Sequence, residues 1–489
     1  MLAIQRNLSK SFYILLSLPA TAMGFALSVQ ISALSWILTT QYGLDIHQVG
    51  LVWAAGPIAG ILGQVIVGII SDNVWLWDGR RKPFILVGGT LAALMLLALP
   101  NIDIVSTTLG MSGLLGVAIT VALTLDLSIN LGFNPTRAII ADVTPEGEQR
   151  TKGYTWMQTI SGSFGVLAYG IGAYWGNYVL IYFGAVLVLV LSILPPFFIK
   201  EPRHLTTENE ELNASIKAPK QSVSFVEVML NIKPLWGFIV YDVYAMGLQL
   251  SGIKTDHYWA EIIAAIITLF FVLQTLLVKE QVVKDQADNS VDEKQQAGLI
   301  GFRKILAAHS FSWIGVQTMF VFIFAFLQDK LPNISNDELG KIIAMSFLIL
   351  SAVSAILPAL ILEPLAKRIG RVKTHTYCLA TMTLGYALVV LYGANTQMLY
   401  ILMALLGIGW SAIISLPFAI MSEKVEQTRM GLYMGLFNLS VVLPQLLVSM
   451  GIGLFINKIA DKSLVFEVSA VALLISTLAW MLVKEQTPE

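Results

Sequence analysis

Four polar side chains lie within one long apolar stretch of the sequence, and their spacing is that of one helix face. They are Asp126, Asn130, Asn134 and Arg137, at positions i, i+4, i+8 and i+11. At about 100° per residue, these positions fall within about 80° of one another. An ionisable group at membrane depth is costly unless it faces a partner or water, so the stripe indicates a path for a solute. Asp126 is the carboxyl group expected to carry a proton along it.

Composition identifies the class of protein that holds this stripe. The chain has 489 residues, of which 56% are hydrophobic and 12% charged, and its mean hydropathy is +0.74. These values predict an all-α integral membrane protein whose helices contact the lipid bilayer. The net charge of -1 gives no reason to expect a nucleic-acid partner. The single Cys378 excludes an intramolecular disulfide and has no metal-ligand spacing.

Hydropathy predicts fourteen membrane-spanning helices. Their expected ranges are 12–37, 46–71, 84–100, 108–141, 154–174, 178–199, 234–253, 258–278, 304–328, 341–363, 374–393, 398–421, 431–456 and 464–483. With a cytoplasmic N-terminus, the cytoplasmic segments hold 24 Lys and Arg residues and the opposite loops hold 5. This bias predicts that both termini are cytoplasmic. Short loops and the lack of a targeting extension favour the inner (plasma) membrane of a bacterium.

Two loop motifs occur twice. An acid, a glycine and a basic cluster follow the second span and recur 291 residues later, and an acid that follows the fourth span recurs 281 residues later. The first copy contains Asp72, Gly79, Arg80, Arg81 and Asp142, and the second contains Glu363, Gly370, Arg371, Glu423 and Arg429. Two parallel six-helix units are typical of the major facilitator fold. We therefore expect an N-terminal half over residues 1–199 and a C-terminal half over 301–489.

The remaining segment, 200–300, is predicted to be an insert with two additional spans. Its flanks, 200–233 and 279–296, are rich in charged and amide residues and lack the apolar surface of a domain. They are expected to be cytoplasmic linkers. Between them, the two inserted spans are expected to form a lipid-facing hairpin outside the transport path, although a regulatory or assembly role is the alternative.

Three groups of residues resemble the plant sucrose/proton symporters and their relatives, within the glycoside-pentoside-hexuronide symporters of the major facilitator superfamily. The shared residues are Gly56-Pro57, Gly68, Asp72 and Gly79 to Phe84, then Leu125-Asp126, Asn130, Pro135, Arg137-Ala138 and Ala141-Asp142, and finally Gly435, Asn438-Leu439 and Pro444-Gln445. The resemblance implies uptake of a glucoside such as sucrose or maltose by alternating access, with protons as the coupling ion and no cofactor. It maps the family's fourth-helix acid onto Asp126, as proton and sugar site, and its arginine onto Arg137. We expect a monomer.

Sugar recognition requires amide or carboxyl groups for the hydroxyls and an aromatic face for the apolar side of the ring. The intramembrane candidates are Gln30, Asn130, Asn134, Gln158, Gln317, Asn438 and Gln445, with Trp313 and Trp410 as possible platforms. Three other polar residues, His309, His375 and Glu467, lie near span ends and are expected to be ordinary interface residues.

The charged loop residues resemble the latch that holds the two halves of major facilitator transporters together in the outward-open state. The first copy of this latch is Asp72, Arg80, Arg81 and Asp142, and a weaker second copy is Glu363, Arg371, Glu423 and Arg429.

Two rival functions remain open. A proton-driven exporter of small molecules would share the fold and the carboxyl group but tolerate apolar substrates. A non-transporting sensor would bind sugar without moving it. An enzyme is not expected, because the sequence has no phosphate-binding glycine loop, no metal spacing and no nucleophile elbow.

Overall fold

The computed structural model describes residues 3–60, 75–110, 113–145, 148–202, 225–251, 258–280, 291–425 and 430–485. In these ranges the regular structure is helical, apart from an isolated bridge between Leu76 and Gly79. Ten helices of the described part are long and apolar enough to cross a membrane. The expectation of an all-α membrane protein is confirmed, while the count of fourteen spans stays a prediction.

The helices are numbered here in chain order. They are α1 (Ala3–Arg6), α2 (Lys10–Thr40), α3 (Ile46–Trp53), α4 (Lys82–Ala98), α5 (Ile102–Leu109), α6 (Leu114–Val143), α7 (Glu148–Trp175), α8 (Asn177–Phe198), α9 (Phe225–Asn231), α10 (Trp236–Ser251), α11 (Trp259–Leu277), α12 (Val291–Lys330), α13 (Asn336–Leu357), α14 (Glu363–Ile369), α15 (Arg371–Tyr392), α16 (Thr396–Ser422), α17 (Met430–Leu447), α18 (Gly453–Lys458) and α19 (Leu464–Trp480).

The chain divides into two compact units. Unit 1 consists of Met1–Leu34 and Ile58–Val228, and unit 2 consists of Ser35–Pro57 and Met229–Glu489. The predicted insert 200–300 therefore contributes to both units. Helix α12 begins well before its predicted start, at Val291 inside the expected linker 279–296, because this end of the linker is rich in the helix formers Glu, Lys and Gln.

Side-chain caps fix where some of the helices begin. Before α3, the Asp45 carboxylate accepts a hydrogen bond from the Gln48 backbone N–H, and the Gln48 side chain accepts one from the Asp45 N–H, both at 2.9 Å. Before α16, the Asn395 side chain accepts from the Met398 N–H at 3.0 Å. These bonds satisfy backbone donors that the first turn of a helix leaves unpaired.

Small residues in unit 1 position α6, the helix with the polar stripe. A Cβ atom at Gly88 of α4 would lie 2.8 Å from the Ser128 carbonyl oxygen and 3.0 Å from the Gly132 nitrogen of α6. The two backbones therefore approach each other as small residues allow in membrane helix pairs. A larger side chain at Gly88 would push α6 away and displace Asp126.

In unit 2, the two inserted helices have different environments. Helix α11 exposes a run of large apolar side chains, including Ile262, Ile266 and Leu269, as expected for a lipid-facing helix. Helix α10 instead packs Tyr241 against Gly451, within a π-helical segment Val448–Ile452 between α17 and α18. It also buries Asp242, which is 3% exposed.

A buried ion pair ties the end of the insert to the rest of unit 2. The Glu280 carboxylate, just after α11, accepts a hydrogen bond from the Lys424 ammonium group at 2.6 Å, and the two side chains are only 2% and 3% exposed. The second Glu280 oxygen accepts from the Lys484 backbone N–H at 3.1 Å. Lys424 also donates to the Lys484 carbonyl at 2.5 Å. The insert is therefore anchored to two segments of unit 2, around Lys424 and around Lys484.

Replacing Glu280 with Ala is expected to destabilise the protein, because it leaves the Lys424 ammonium group buried without its carboxylate. Removing one partner of a buried pair costs about 3–5 kcal/mol. Thermal unfolding of the purified protein in detergent measures the effect. Lys279→Ala is the matched control, since its side chain is exposed one residue away. The double variant Glu280→Ala, Lys424→Met should recover much of the loss. Equal unfolding temperatures for Glu280→Ala and Lys279→Ala would contradict this account.

Candidate functional site

A buried carboxyl–amide pair is the centre of the candidate site in unit 1. Asp126 lies on α6 and is 6% exposed, and Gln30 lies on α2 and is 2% exposed. The Gln30 Nε2 atom donates a hydrogen bond to Asp126 Oδ2 at 3.0 Å. Among the described residues, no cation pairs with Asp126, and Gln30 Oε1 is buried without a partner. This acid is therefore held by an amide rather than by a counter-charge.

The other members of the polar stripe have different environments. Asn130 is partly exposed, and its Nδ2 donates to the Asp126 backbone carbonyl at 2.8 Å. The Arg137 side chain is exposed, with its guanidinium carbon 5.2 Å from the centre of the Phe133 ring. No ion pair joins Arg137 to Asp126, both of which the structure describes. The Asn134 side chain lies outside the described part.

A second polar pair forms in unit 2. The Gln445 Nε2 atom on α17 donates to Gln317 Oε1 on α12 at 3.1 Å. Gln317 is buried and Gln445 is partly exposed. Asn438 is also partly exposed on α17, and Gln158 is exposed on α7 of unit 1. The structure therefore brings Gln30 to Asp126 and Gln317 to Gln445.

Two histidines that the sequence placed at span ends as interface residues are deeply buried, so that interpretation is wrong for them. His309 is 2% exposed and His375 is fully buried. His309 Nε2 accepts a hydrogen bond from the Trp313 indole at 2.9 Å, and the His375 ring lies against Trp480. Hydropathy locates a residue along a helix but does not show which neighbouring helices cover it. Glu467 is exposed, as expected.

The first loop motif forms a buried charge cluster in unit 1. Arg81 Nε donates to Asp142 Oδ2 at 2.9 Å, and both side chains are nearly buried. Glu201, just after α8, accepts hydrogen bonds from the backbone N–H groups of Arg80, Arg81 and Lys82 at 2.7, 2.8 and 2.9 Å. These are donors at the start of α4 that its own helical bonds leave free. Glu201 therefore joins the end of the sixth predicted span to the start of the third.

A tight turn leads into this cluster. Leu76 and Gly79 exchange backbone hydrogen bonds at 3.0 and 3.1 Å, and the residues between them, Trp77 and Asp78, have φ values of 53° and 57°. Two left-handed central residues are typical of a type I′ turn. A Cβ atom at Gly79 would lie 2.5 Å from a Glu201 carboxylate oxygen. Glycine is therefore required where this turn meets the carboxylate.

The second loop motif forms a similar but more open cluster in unit 2. Arg371 pairs with Glu423, and these side chains are 43% and 40% exposed. The Arg371 backbone N–H donates to Glu485, just after α19. An exposed ion pair contributes little to stability. Asp72, Arg429 and the Glu363 side chain lie outside the described part of the chain.

Three glutamates were missed by the sequence reasoning, two in these loop-motif clusters and one in the buried pair with Lys424. Glu201, Glu280 and Glu485 each follow a lysine directly after a predicted span. This repeated Lys-Glu pair is the signal that could have found them, and Val-Lys-Glu-Gln occurs in full at both 278–281 and 483–486. The loop motifs drew attention to side-chain partners, whereas Glu201 and Glu485 bind backbone N–H groups, which leave no mark on the sequence.

Known proteins with similar sequences are membrane transporters. A family model described as Major Facilitator Superfamily matches residues 16–278, 250–439 and 305–489. Sucrose transport protein SUC4 of Arabidopsis thaliana is 21% identical over 485 residues, which cover 90% of this chain and 83% of that protein. General alpha-glucoside permease of Schizosaccharomyces pombe is 30% identical over 174 residues, or 32% of this chain and 31% of that protein. These matches confirm the resemblance seen in the sequence and the prediction of a transporter rather than an enzyme.

Solved structures support the fold. The crystal structure of the POT family transporter PepTSo has a TM-score of 0.62 and 13% sequence identity, and the match covers 96% of each chain. At this identity the similarity concerns the fold alone. Together with the family match, it confirms the predicted major facilitator fold.

Substitution of Glu201 is expected to destabilise the protein more than the same change at Glu485. Glu201→Gln leaves one carbonyl oxygen for three N–H groups, two of them buried, whereas Glu485 receives one part-buried N–H bond in the described structure. Leaving a buried donor unpaired costs about 1–3 kcal/mol. Unfolding temperatures of Glu201→Gln and Glu485→Gln in the same detergent test the ranking. The reverse order would show that Glu201 does not organise the start of α4.

Proposed function

Because the chain belongs to the Major Facilitator Superfamily, we propose that it imports a glucoside or disaccharide of the sucrose or maltose class together with protons. Transport proceeds by alternating access, with no cofactor other than the coupling ion. The similarity of the chain to a sucrose transport protein and to an alpha-glucoside permease supports this substrate class. Asp126 carries the proton.

The observation that carries this proposal is the burial of Asp126. Among the described residues, its carboxylate is hydrogen-bonded to the Gln30 amide and has no cationic partner. A carboxylate without a cation in a membrane interior loses its hydration and gains little in return. Protonation removes the charge and this cost. A carboxyl group in such a place can therefore carry a proton if it meets water on one side of the membrane and then on the other.

Gln30 can serve both forms of this carboxyl group. Its Nε2 donates to the Asp126 carboxylate at 3.0 Å, and its Oε1 is buried without a described partner. A glutamine amide has donors on one atom and an acceptor on the other. A rotated amide would let Oε1 accept the hydrogen of protonated Asp126. The sequence suggested Gln30 as a sugar ligand. We instead assign it to the proton site.

The remaining site residues divide between the two units. Asn130 follows Asp126 on α6 in unit 1, and Gln317 pairs with Gln445 in unit 2. Their amides are suited to sugar hydroxyls. We also assign sugar contact to Asn134, Gln158 and Asn438, and a part in proton coupling to Arg137.

The charged loop residues are proposed to act as a cytoplasmic latch. The Arg81–Asp142 pair organises them within unit 1, and the more exposed Arg371–Glu423 pair does so within unit 2. The proposed topology has fourteen spans with both termini cytoplasmic. The proposed setting is the inner (plasma) membrane, where the protein works as a monomer.

Asp126→Asn is expected to abolish uptake that a proton gradient drives, because an amide cannot take up and release the proton. Exchange of labelled for unlabelled sugar should survive, since it needs no net proton movement. The protein is reconstituted in liposomes with an inward proton gradient, and uptake of labelled sucrose and maltose is measured. Asp242→Asn is the matched control, because Asp242 is the buried acid of the inserted helix α10.

Three results would count against the proposal. Gradient-driven uptake that survives Asp126→Asn would show that Asp126 is not the proton carrier. Loss of uptake in Asp242→Asn alone would assign the proton site to Asp242 of the insert. Transport of neither sugar by the unaltered protein would reject the substrate class and favour a drug or metabolite exporter.

Gln30→Leu is expected to lower gradient-driven uptake at least tenfold, on the order of one lost hydrogen bond to a charged group, while leaving the affinity for sugar unchanged. The reason is that leucine deprives Asp126 of its amide partner but removes no sugar ligand. Sugar affinity is measured by isothermal titration of the purified protein, and uptake in the same liposome assay. Weaker sugar binding with unaltered coupling would instead make Gln30 a sugar ligand.

A further inference from the structure

A row of aromatic rings in unit 2 runs from a buried histidine to two partly exposed tryptophans. The Trp313 indole N–H donates to His309 Nε2 at 2.9 Å. The Trp313 ring meets Trp410 nearly at right angles, with ring centres 5.8 Å apart and an interplanar angle of 83°. Trp410 in turn meets Phe320, with ring centres 5.3 Å apart. Trp313 is therefore held from one side by a hydrogen bond and from another by a second indole.

The imidazole of His309 is itself fixed. It stacks on Phe437 of α17, with ring centres 4.8 Å apart and an interplanar angle of 18°. Because Nε2 accepts a hydrogen bond, the neutral ring carries its hydrogen on Nδ1, which has no partner in the described part of the chain. Among the described residues, the hydrogen bond from Trp313 is therefore the polar contact of the His309 ring.

The amide pair of unit 2 lies beside this tryptophan. Gln317 is one helical turn after Trp313 on α12, so the two side chains share a face. Its partner Gln445 is partly exposed, as are Trp313 and Trp410. An indole face next to amide groups is the combination that a pyranose ring needs, because its C–H face is apolar and its rim carries hydroxyls.

We propose that Trp313 is the platform for the apolar face of the transported sugar and that His309 is the positioning residue that fixes its indole. This inference rests on the proposed function, since it names the ring that meets the sugar. His309 does not touch the sugar. The hydrogen bond from Trp313 to His309 holds the indole in place before sugar binds, so that binding costs less side-chain conformational entropy.

The test compares two substitutions that differ in one property. His309→Gln retains a hydrogen-bond acceptor near the position of Nε2, whereas His309→Leu fills the space without one. Sucrose and maltose exchange are measured in liposomes without a proton gradient, so that proton coupling does not enter. His375→Gln is the matched control, because His375 is the other deeply buried histidine in the described part of unit 2 and lies against Trp480.

His309→Leu is expected to raise the KM for sugar exchange about five- to tenfold, the scale of one lost hydrogen bond, with little change in the maximal rate. His309→Gln should return the KM to within about twofold of the unaltered protein, and His375→Gln should leave it unchanged. This KM effect with rescue by glutamine would support a positioning role.

Two outcomes would overturn the inference. Wild-type KM values in both His309 variants would show that Trp313 needs no positioning. Equal losses of maximal rate and unfolding temperature in both variants, at constant KM, would make His309 a packing residue. Failure of the proposed function would give a different result, because the unaltered protein itself would then exchange neither sugar.

Discussion

The absence of water inside the bilayer is the constraint on which the structure of this chain depends. A polar group buried there must find its partner within the protein or carry a ligand. Many hydroxyl groups of the described helices meet this demand within their own helix, as Ser17 and Thr21 do by donating to the carbonyl four residues earlier. Asp126 cannot do so, because a carboxylate has no hydrogen to donate. Its described side-chain partner is Gln30, from another helix, and this makes one pair the centre of the proposed chemistry.

The same constraint organises the charged ends of the helices. A helix that starts at a membrane boundary has backbone N–H groups without intrahelical partners, and a carboxylate satisfies several of them at once. In unit 1, Glu201 takes this role at the start of α4, beside the Arg81–Asp142 pair. In unit 2, Glu485 binds the Arg371 N–H at the start of α15. A segment that follows the last helix of each repeat is thereby bound to the start of an earlier one.

The sequence reached some of these features and missed others for physical reasons. Helical periodicity is a local property, so the stripe on α6 could be found from its spacing, and the internal repeat pointed to Arg81 and Asp142. The contact between Gln30 and Asp126 joins residues 96 positions apart, so Gln30 looked like any other membrane amide. Glu201 was invisible because its partners are backbone groups. The burial of His309 depends on its contacts with Phe437 and Trp313 and on how α12 packs against α17. This packing cannot be read from the local pattern of the sequence.

The insert changes the balance between the two repeats. The repeat predicts equivalent ion pairs, yet Arg81–Asp142 is nearly buried while Arg371–Glu423 is open to solvent. The buried ion pair of unit 2 is formed instead by Lys424, the residue after Glu423, with Glu280 of the insert. Because buried pairs respond strongly to the loss of one partner and exposed pairs hardly at all, the insert supplies unit 2 with the interaction that its own repeat lacks. The inserted helices are therefore structurally bound to the segments of unit 2 around Lys424 and Lys484, even though α11 exposes a run of large apolar side chains.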